Sequence, residues 1–210
     1  MSERSLTFGP WTVREWLRSP ADARPWENVV AVVHPGEYVL KLFPACPEVP
    51  AADTGWGDYP GVASDAEDLL DRREVNAELV ARYHNEVEAL IRCRGVSGVV
   101  QIVDHGLLPP ERWWEVDGRT YQAFVLREWV EGGRGEEPTT EEVGRLLARL
   151  HARNLWAIDL HKDNFIRRPD GEPVFVDLDH SFRPIAERSR LAGHRGEAWP
   201  AFLADIRGDV

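Results

Sequence analysis

The order of elements in this chain predicts an α+β fold built as two lobes, an antiparallel sheet first and a short helical part after it. Three observations carry that prediction. The first half is rich in β-branched and aromatic runs closed by short turns. A Gly-Gly pair, Gly132 and Gly133, ends the last long run. Beyond that pair the apolar residues recur at helical spacing. The first lobe is therefore placed at residues 1–130 and the second at 131–210.

Each element follows from its own residues. "NVVAVVHPGEYVLKLF" (28–43) reads as a hairpin, two β-branched runs around a turn at Pro35 and Gly36. Residues 44–63 form a loop rich in Pro, Gly and Ala, a candidate source of substrate contacts. A helix is expected over roughly 65–94, opened by a capping box at Ser64 and Glu67 and stopped at Gly95. "VVQIVDHG" (99–106) is a strand. Residues 112–133 form a second hairpin that turns at Asp117-Gly118. "TTEEVGRLLARLHARN" (139–154) is a helix. Thr139 and Glu142 stand at capping-box spacing, and Val143, Leu146, Leu147 and Leu150 share one face. "FIRRPDGEPVFV" is a third hairpin, turning at Asp170-Gly171. The remaining residues suit one or two short helices.

Composition excludes several classes. The chain has 210 residues, 43% of them hydrophobic and 29% charged, with a formal net charge of −11. That charge argues against a nucleic-acid partner, which needs a basic surface. No apolar run reaches the length of a transmembrane helix, and the first residues lack a signal-peptide pattern. Two cysteines, Cys46 and Cys93, make no disulfide framework and point to a reduced, cytoplasmic setting.

The stretch "AIDLHKDNFIRRPDGEPVFVDLDHS" (157–181) crowds six carboxylates around two short apolar runs. A tight two-residue turn at Asp170-Gly171 would set Asn164 opposite Asp177, with Cβ atoms about 5 Å apart. A carboxamide and a carboxylate so placed can share a hard cation such as Mg²⁺. Lys41 lies between Leu40 and Leu42 inside an apolar strand, so its ammonium needs either an edge position or a carboxylate partner. On the helix ahead of Gly95, Leu79, Val80, Tyr83, Val87, Leu90 and Ile91 form one stripe. Glu86 falls roughly 70° from its centre and Glu88 roughly 130° away, so Glu86 is the candidate partner.

Asp159 and Asn164 make a D-x-x-x-x-N motif followed by Asp177 at the end of the next strand. This resembles the catalytic loop and metal-binding Asp of the protein-kinase-like superfamily. "YVLKLF" resembles its lysine strand. "YHNEVEALIRCRGVSGVVQIVDHG" resembles its regulatory helix and the strand after it. "FVLREWVEGG" resembles the hinge, and "LLARLHARNLWAIDLHKDNF" the helix that feeds the catalytic loop. The resemblance implies a two-lobed fold, ATP and Mg²⁺, and transfer to a hydroxyl-bearing acceptor, protein or small molecule. It implies Lys41 held by Glu86 against the phosphates, Asp159 as the base, and Asn164 and Asp177 as metal ligands. Glu128 and Val130 would be the hinge residues at the nucleotide.

The chain departs from the pattern in three places. No Gly-x-Gly-x-x-Gly precedes Lys41, and Ala157 stands where the family usually has His. Leu178-Asp179 follows Asp177 in place of Phe-Gly, with about 30 residues after it. His161 is a habit of small-molecule kinases. The chain thus resembles minimal members: compact Ser/Thr kinases, lipopolysaccharide-core sugar kinases and aminoglycoside-type phosphotransferases. A pseudokinase that binds nucleotide or acts as a scaffold without turnover is the alternative.

Overall fold

The computed structural model describes residues 6–46, 72–134, 136–157, 160, 162–178 and 182–184. The chain divides into two compact units. One comprises residues up to His84 together with Ile102–Trp129; the other comprises Asn85–Gln101 and the chain from Val130 onward.

The first unit is built on one antiparallel sheet. Its strands are β1 (Thr7–Phe8), β2 (Trp11–Arg18), β3 (Val29–His34), β4 (Tyr38–Pro44), β5 (Ile102–Leu107), β6 (Trp114–Val116) and β7 (Arg119–Glu128). The spatial order is β1-β2-β3-β4-β7-β5, with β6 also paired to β7. Strand alternation separates two faces. Leu40, Leu42, Phe124 and Leu126 join Phe8, Ala31 and Val33 in the main core, with Trp11, Trp16 and Trp114 packed against it. Val39, Lys41 and Phe43 alternate to the other face, where the Phe43 ring meets Tyr83 edge-on at 5.6 Å. Tyr83 belongs to α1 (Arg72–Arg92). Val75 and Leu79 of that helix close a second cluster with Trp26 and Cys46. Asn76 ties the helix to the end of β4: its carboxamide accepts the Cys46 N–H at 2.7 Å and donates to the Cys46 carbonyl at 3.2 Å.

Both predicted hairpins of this unit are present. Asp117 (φ 50°) and Gly118 (φ 71°) occupy the left-handed region that a two-residue turn requires there. Strands β1 and β2 were not expected. β2, "WTVREWLR", is only partly buried and carries register shifts against β3, so its apolar alternation is blurred. Ser64 and Glu67, the expected helix cap, lie outside the described residues, as does most of the 44–63 loop.

In the second unit α1 ends at Arg92, and Gly95 (φ 72°) follows it, as its sequence position suggested. The other elements are β8 (Gly133–Arg134), α2 (Thr140–His151), β9 (Leu155–Ala157), β10 (Phe165–Arg167), β11 (Pro173–Phe175) and β12 (Phe182–Pro184). They make a three-stranded sheet, β11-β10-β8, and a β9–β12 pair. α2 buries Val143, Leu146, Leu147 and Leu150 as its spacing predicted. Its start is a capping box: the Thr139 hydroxyl accepts the Glu142 N–H, and the Glu142 carboxylate accepts the Thr139 N–H at 2.8 Å.

The same Glu142 carboxylate takes a two-pronged bond from Arg167, Nη1 to Oε1 at 2.8 Å and Nη2 to Oε2 at 3.2 Å. Arg167 and the Thr139 amide hold its pKa down at about 2, against an ordinary 4.5. A depressed carboxylate pKa adds stability that is present above the unfolded pKa and is lost as pH falls toward the folded one. Wild type should therefore lose about 1 kcal/mol between pH 4.5 and 2 through this group, after solvent screening. Glu142→Gln preserves the cap and should flatten that acid limb. Urea unfolding at stepped pH measures it, and an unchanged limb in Glu142→Gln contradicts the assignment.

Candidate functional site

In the first unit Lys41 sits mid-strand on β4, opposite Val30 on one side and Val125 on the other. It is 3% exposed, and its Nζ lies 5.6 Å from the centroid of the Phe43 ring on the same face. The edge-strand alternative for this lysine is thereby removed, since β3 and β7 flank β4. Arg127 shares its face of the sheet. It lies two residues beyond Val125 on β7, diagonal to Lys41, and is 6% exposed. Glu128, half-buried, follows at the end of β7.

In the second unit Glu86 is fully buried, whereas Glu88 is exposed and pairs with Arg92 along the helix. This is the distinction that the helical stripe predicted. Val130 is buried. Among the described residues the buried formal charges are Lys41, Arg127 and Glu86, two cations and one carboxylate. Sequence reading passed over Arg127. Its signal was a cation closing the apolar run "AFVL", just before Glu128, and it was read only as part of a hinge motif.

Asn164 and Asp177 come to the same end of one hairpin, but not face to face. The ladder pairs Phe165 with Phe175, Ile166 with Val174 and Arg167 with Pro173. Asn164 therefore faces Val176, and its carbonyl accepts the Val176 N–H at 2.9 Å. The expected opposition of Asn164 and Asp177 is off by one residue. The cause is the turn. Gly171 N–H bonds the Arg168 carbonyl at 2.9 Å, and Arg168 N–H bonds the Glu172 carbonyl at 3.0 Å. Gly171 has φ 87°. This is a three-residue loop with its glycine in the left-handed position, where a two-residue Asp-Gly turn was expected.

Both groups remain neighbours at the open end of the ladder. Asn164 closes a single 3-10 turn, Lys162–Asn164, and Asp177 lies two residues past β11, so strand alternation fixes neither side chain. One carboxamide and one carboxylate oxygen are hard donors in the number that Mg²⁺ takes from protein when phosphate and water complete its shell. Their chemistry fits the ion. Among the described residues no three His, Cys, Asp or Glu side chains gather as a metal cluster. Asp159, Asp179 and His161 lie outside the described residues.

The segment between β2 and β3, residues 19–28, stands where a glycine-rich loop would precede the lysine strand. Four of its backbone amides bond within the loop. The Asp22 and Ala23 amides reach the Ser19 carbonyl, the Glu27 amide reaches the Arg24 carbonyl, and the Arg24 amide reaches the Glu27 carboxylate at 2.8 Å. Arg119 binds the Ala23 carbonyl at 2.7 Å, and Arg82 binds the Trp26 carbonyl at 3.2 Å. Arg18, at the end of β2, pairs with Glu27 of the loop, and Arg24 lies over the Trp26 ring. His105 is a structural partner, its Nδ1 at 2.9 Å from the Tyr83 hydroxyl.

Comparison with known proteins supports the fold. No protein-family model matches the chain. A probable SapB synthase of Streptomyces coelicolor is 27% identical over 233 aligned positions, covering 95% of this chain and 23% of that protein. Crystal structures of WbdD are also similar. The 2.2 Å structure superposes with a TM-score of 0.53 over 94% of this chain and 37% of its own, at 15% identity. A co-crystal of WbdD with the kinase inhibitor LY294002 gives 0.53 over 92% and 38%, at 14% identity. The chain thus spans about a quarter of the curated relative and under two-fifths of the solved chains. The fold is the two-lobed, protein-kinase-like one that the sequence predicted, with an antiparallel sheet in one unit and a short helical second unit. Among the described residues no helix is long and apolar enough to cross a membrane.

Proposed function

We propose that this chain is an ATP- and Mg²⁺-dependent phosphotransferase that moves the γ-phosphate to a hydroxyl of a protein or small molecule. The observation that carries the reading is the pair of buried, oppositely charged groups, Lys41 and Glu86, in a kinase-like fold. Burying either charge alone is costly, which favours a shared purpose. Lys41, steadied by Glu86, binds the α- and β-phosphates. Glu128 and Val130 mark the hinge stretch whose backbone takes the nucleotide base. Asp159 accepts or orients the proton of the attacking hydroxyl. Asn164 and Asp177 hold Mg²⁺, which supplies charge neutralisation on the phosphates. Little covalent work falls to the protein; positioning does most of it. A cytoplasmic setting suits the two free, buried cysteines.

One observation favours a second reading, the pseudokinase. The 19–28 loop uses four of its amides on itself, which leaves fewer phosphate contacts there than a glycine-rich loop offers. Calorimetry on Asp177→Ala tests the primary reading. Wild type should bind ATP more tightly with Mg²⁺ than without it, and Asp177→Ala should lose that difference while staying folded. Undiminished Mg-ATP affinity in the variant would reject Asp177 as a ligand.

A further inference from the structure

The hairpin that carries Asn164 and Asp177 is only three residue pairs long, and one of its members, Pro173, has no N–H to give. Such a ribbon is marginal by itself. Its turn sequence, Asp170-Gly171, also suits a tight two-residue loop, which would slip the register by one. In that slipped ladder Asn164 faces Asp177, and every later side chain changes its neighbour. The molecule adopts the other register, so something selects it.

Arg167 is placed to do so. Its Nη1 binds the Gly171 carbonyl at 2.7 Å, a bond within the three-residue turn itself. Its two-pronged bond to Glu142 ties β10 to the capped start of α2, and its Nε reaches Glu136 at 2.7 Å. Its backbone is held as well. β8 pairs Gly133 with Arg167, and at Gly132 (φ 154°) an added Cβ would meet the Arg167 carbonyl oxygen at 2.1 Å. The facing strand has separate anchors. The Phe175 N–H binds the Gly98 carbonyl at 2.9 Å, and Glu172 takes the Ser97 hydroxyl and faces Arg149 at 3.5 Å. Arg167 thus bonds at once to the turn, to α2 and to the segment after the Gly-Gly pair.

We infer that Arg167 is a positioning residue that selects the register of this hairpin, and thereby the arrangement of Asn164 and Asp177 as ligands. The metal role of those two residues rests on the function proposed above; the register role does not. The effect of such an outer partner on metal affinity is about 10- to 100-fold.

The test pairs two readouts on Arg167→Met and Arg167→Lys. The first is register, seen by NMR without metal or nucleotide. In the present register the Phe165 and Phe175 rings meet edge-on at 5.0 Å and the Val176 amide is bonded. After a slip, Phe165 would face Val176. The second is the Mg²⁺ concentration that half-saturates the enhancement of ATP binding, by calorimetry. Arg167→Met should weaken the ring contact, expose the Val176 amide to exchange, and change that concentration by about tenfold or more, in either direction. Arg167→Lys keeps the charge but loses the second prong to Glu142 and the bond to Glu136, so it should fall between Met and wild type. It also carries the test if the Met variant does not fold. A retained ring contact and protected Val176 amide in both variants would overturn the inference. So would lost register with unchanged Mg²⁺ dependence, since register would then not set the ligands. If wild type shows no Mg²⁺ dependence while the variants still lose register, selection by Arg167 stands and the metal reading fails.

Discussion

Asp159→Asn should leave ATP affinity nearly unchanged and cut phosphate transfer by about 10²–10⁴, the usual worth of general acid–base assistance. The substitution keeps the size and the hydrogen-bonding reach of the side chain but removes its ability to take a proton at neutral pH. A base acts on the acceptor hydroxyl and not on the nucleotide, so binding and turnover should separate. Asp177→Ala should lower both, because a metal ligand serves the phosphates before any acceptor arrives. If Asp159→Asn loses nucleotide as severely as Asp177→Ala does, the catalytic loop has been misassigned. The base would then be sought at Asp163 or Asp179.

On the proposed pairing with Lys41, Glu86→Ala should destabilise the protein by about 3–5 kcal/mol, the usual cost of removing one partner of a buried ion pair. Glu86 is the buried carboxylate among the described residues, and Lys41 and Arg127 are the buried cations. When Glu86 is removed, Lys41 can shed its proton, which relieves part of that cost. Glu86→Ala and Lys41→Ala should each weaken ATP binding. If the two residues act as a unit, the double variant should lose less than the sum of the single losses. Fully additive losses in that cycle would reject the pairing. Glu88→Ala is the control. Its carboxylate is exposed and meets only Arg92 one turn on, so the change should stay within about 0.5 kcal/mol.

Much of this was legible in the residues, for local reasons. Gly118, Gly95 and the Thr139–Glu142 box act within a few residues of themselves, so turns and helix ends were readable. The stripe on α1 separated Glu86 from Glu88 because helical periodicity alone fixes that difference. The hairpin at Asp170-Gly171 was foreseen in place but not in register. Its turn type is set by tertiary partners, Arg167 among them, that no local rule contains. β1 and β2 escaped because β1 is only two residues long and the alternation of β2 breaks at Arg14-Glu15 and Trp16-Leu17, where its pairing with β3 shifts register. Trp11 and Trp16 reveal their inward side only when packed against the main core. Arg127 escaped for the opposite reason: a cation in an apolar run looks like a surface residue until its strand is found to have neighbours on both edges.

The most direct test of the account is transfer itself. Purified protein is incubated with γ-labelled ATP and Mg²⁺, beside Asp159→Asn, with protein, aminoglycoside and sugar acceptors offered in turn. The account predicts label on a hydroxyl acceptor, or labelled phosphate released to water, at a rate at least about 10² above the variant. Equal rates for wild type and Asp159→Asn with every acceptor, while both bind Mg-ATP, would contradict it and leave the chain a nucleotide-binding module.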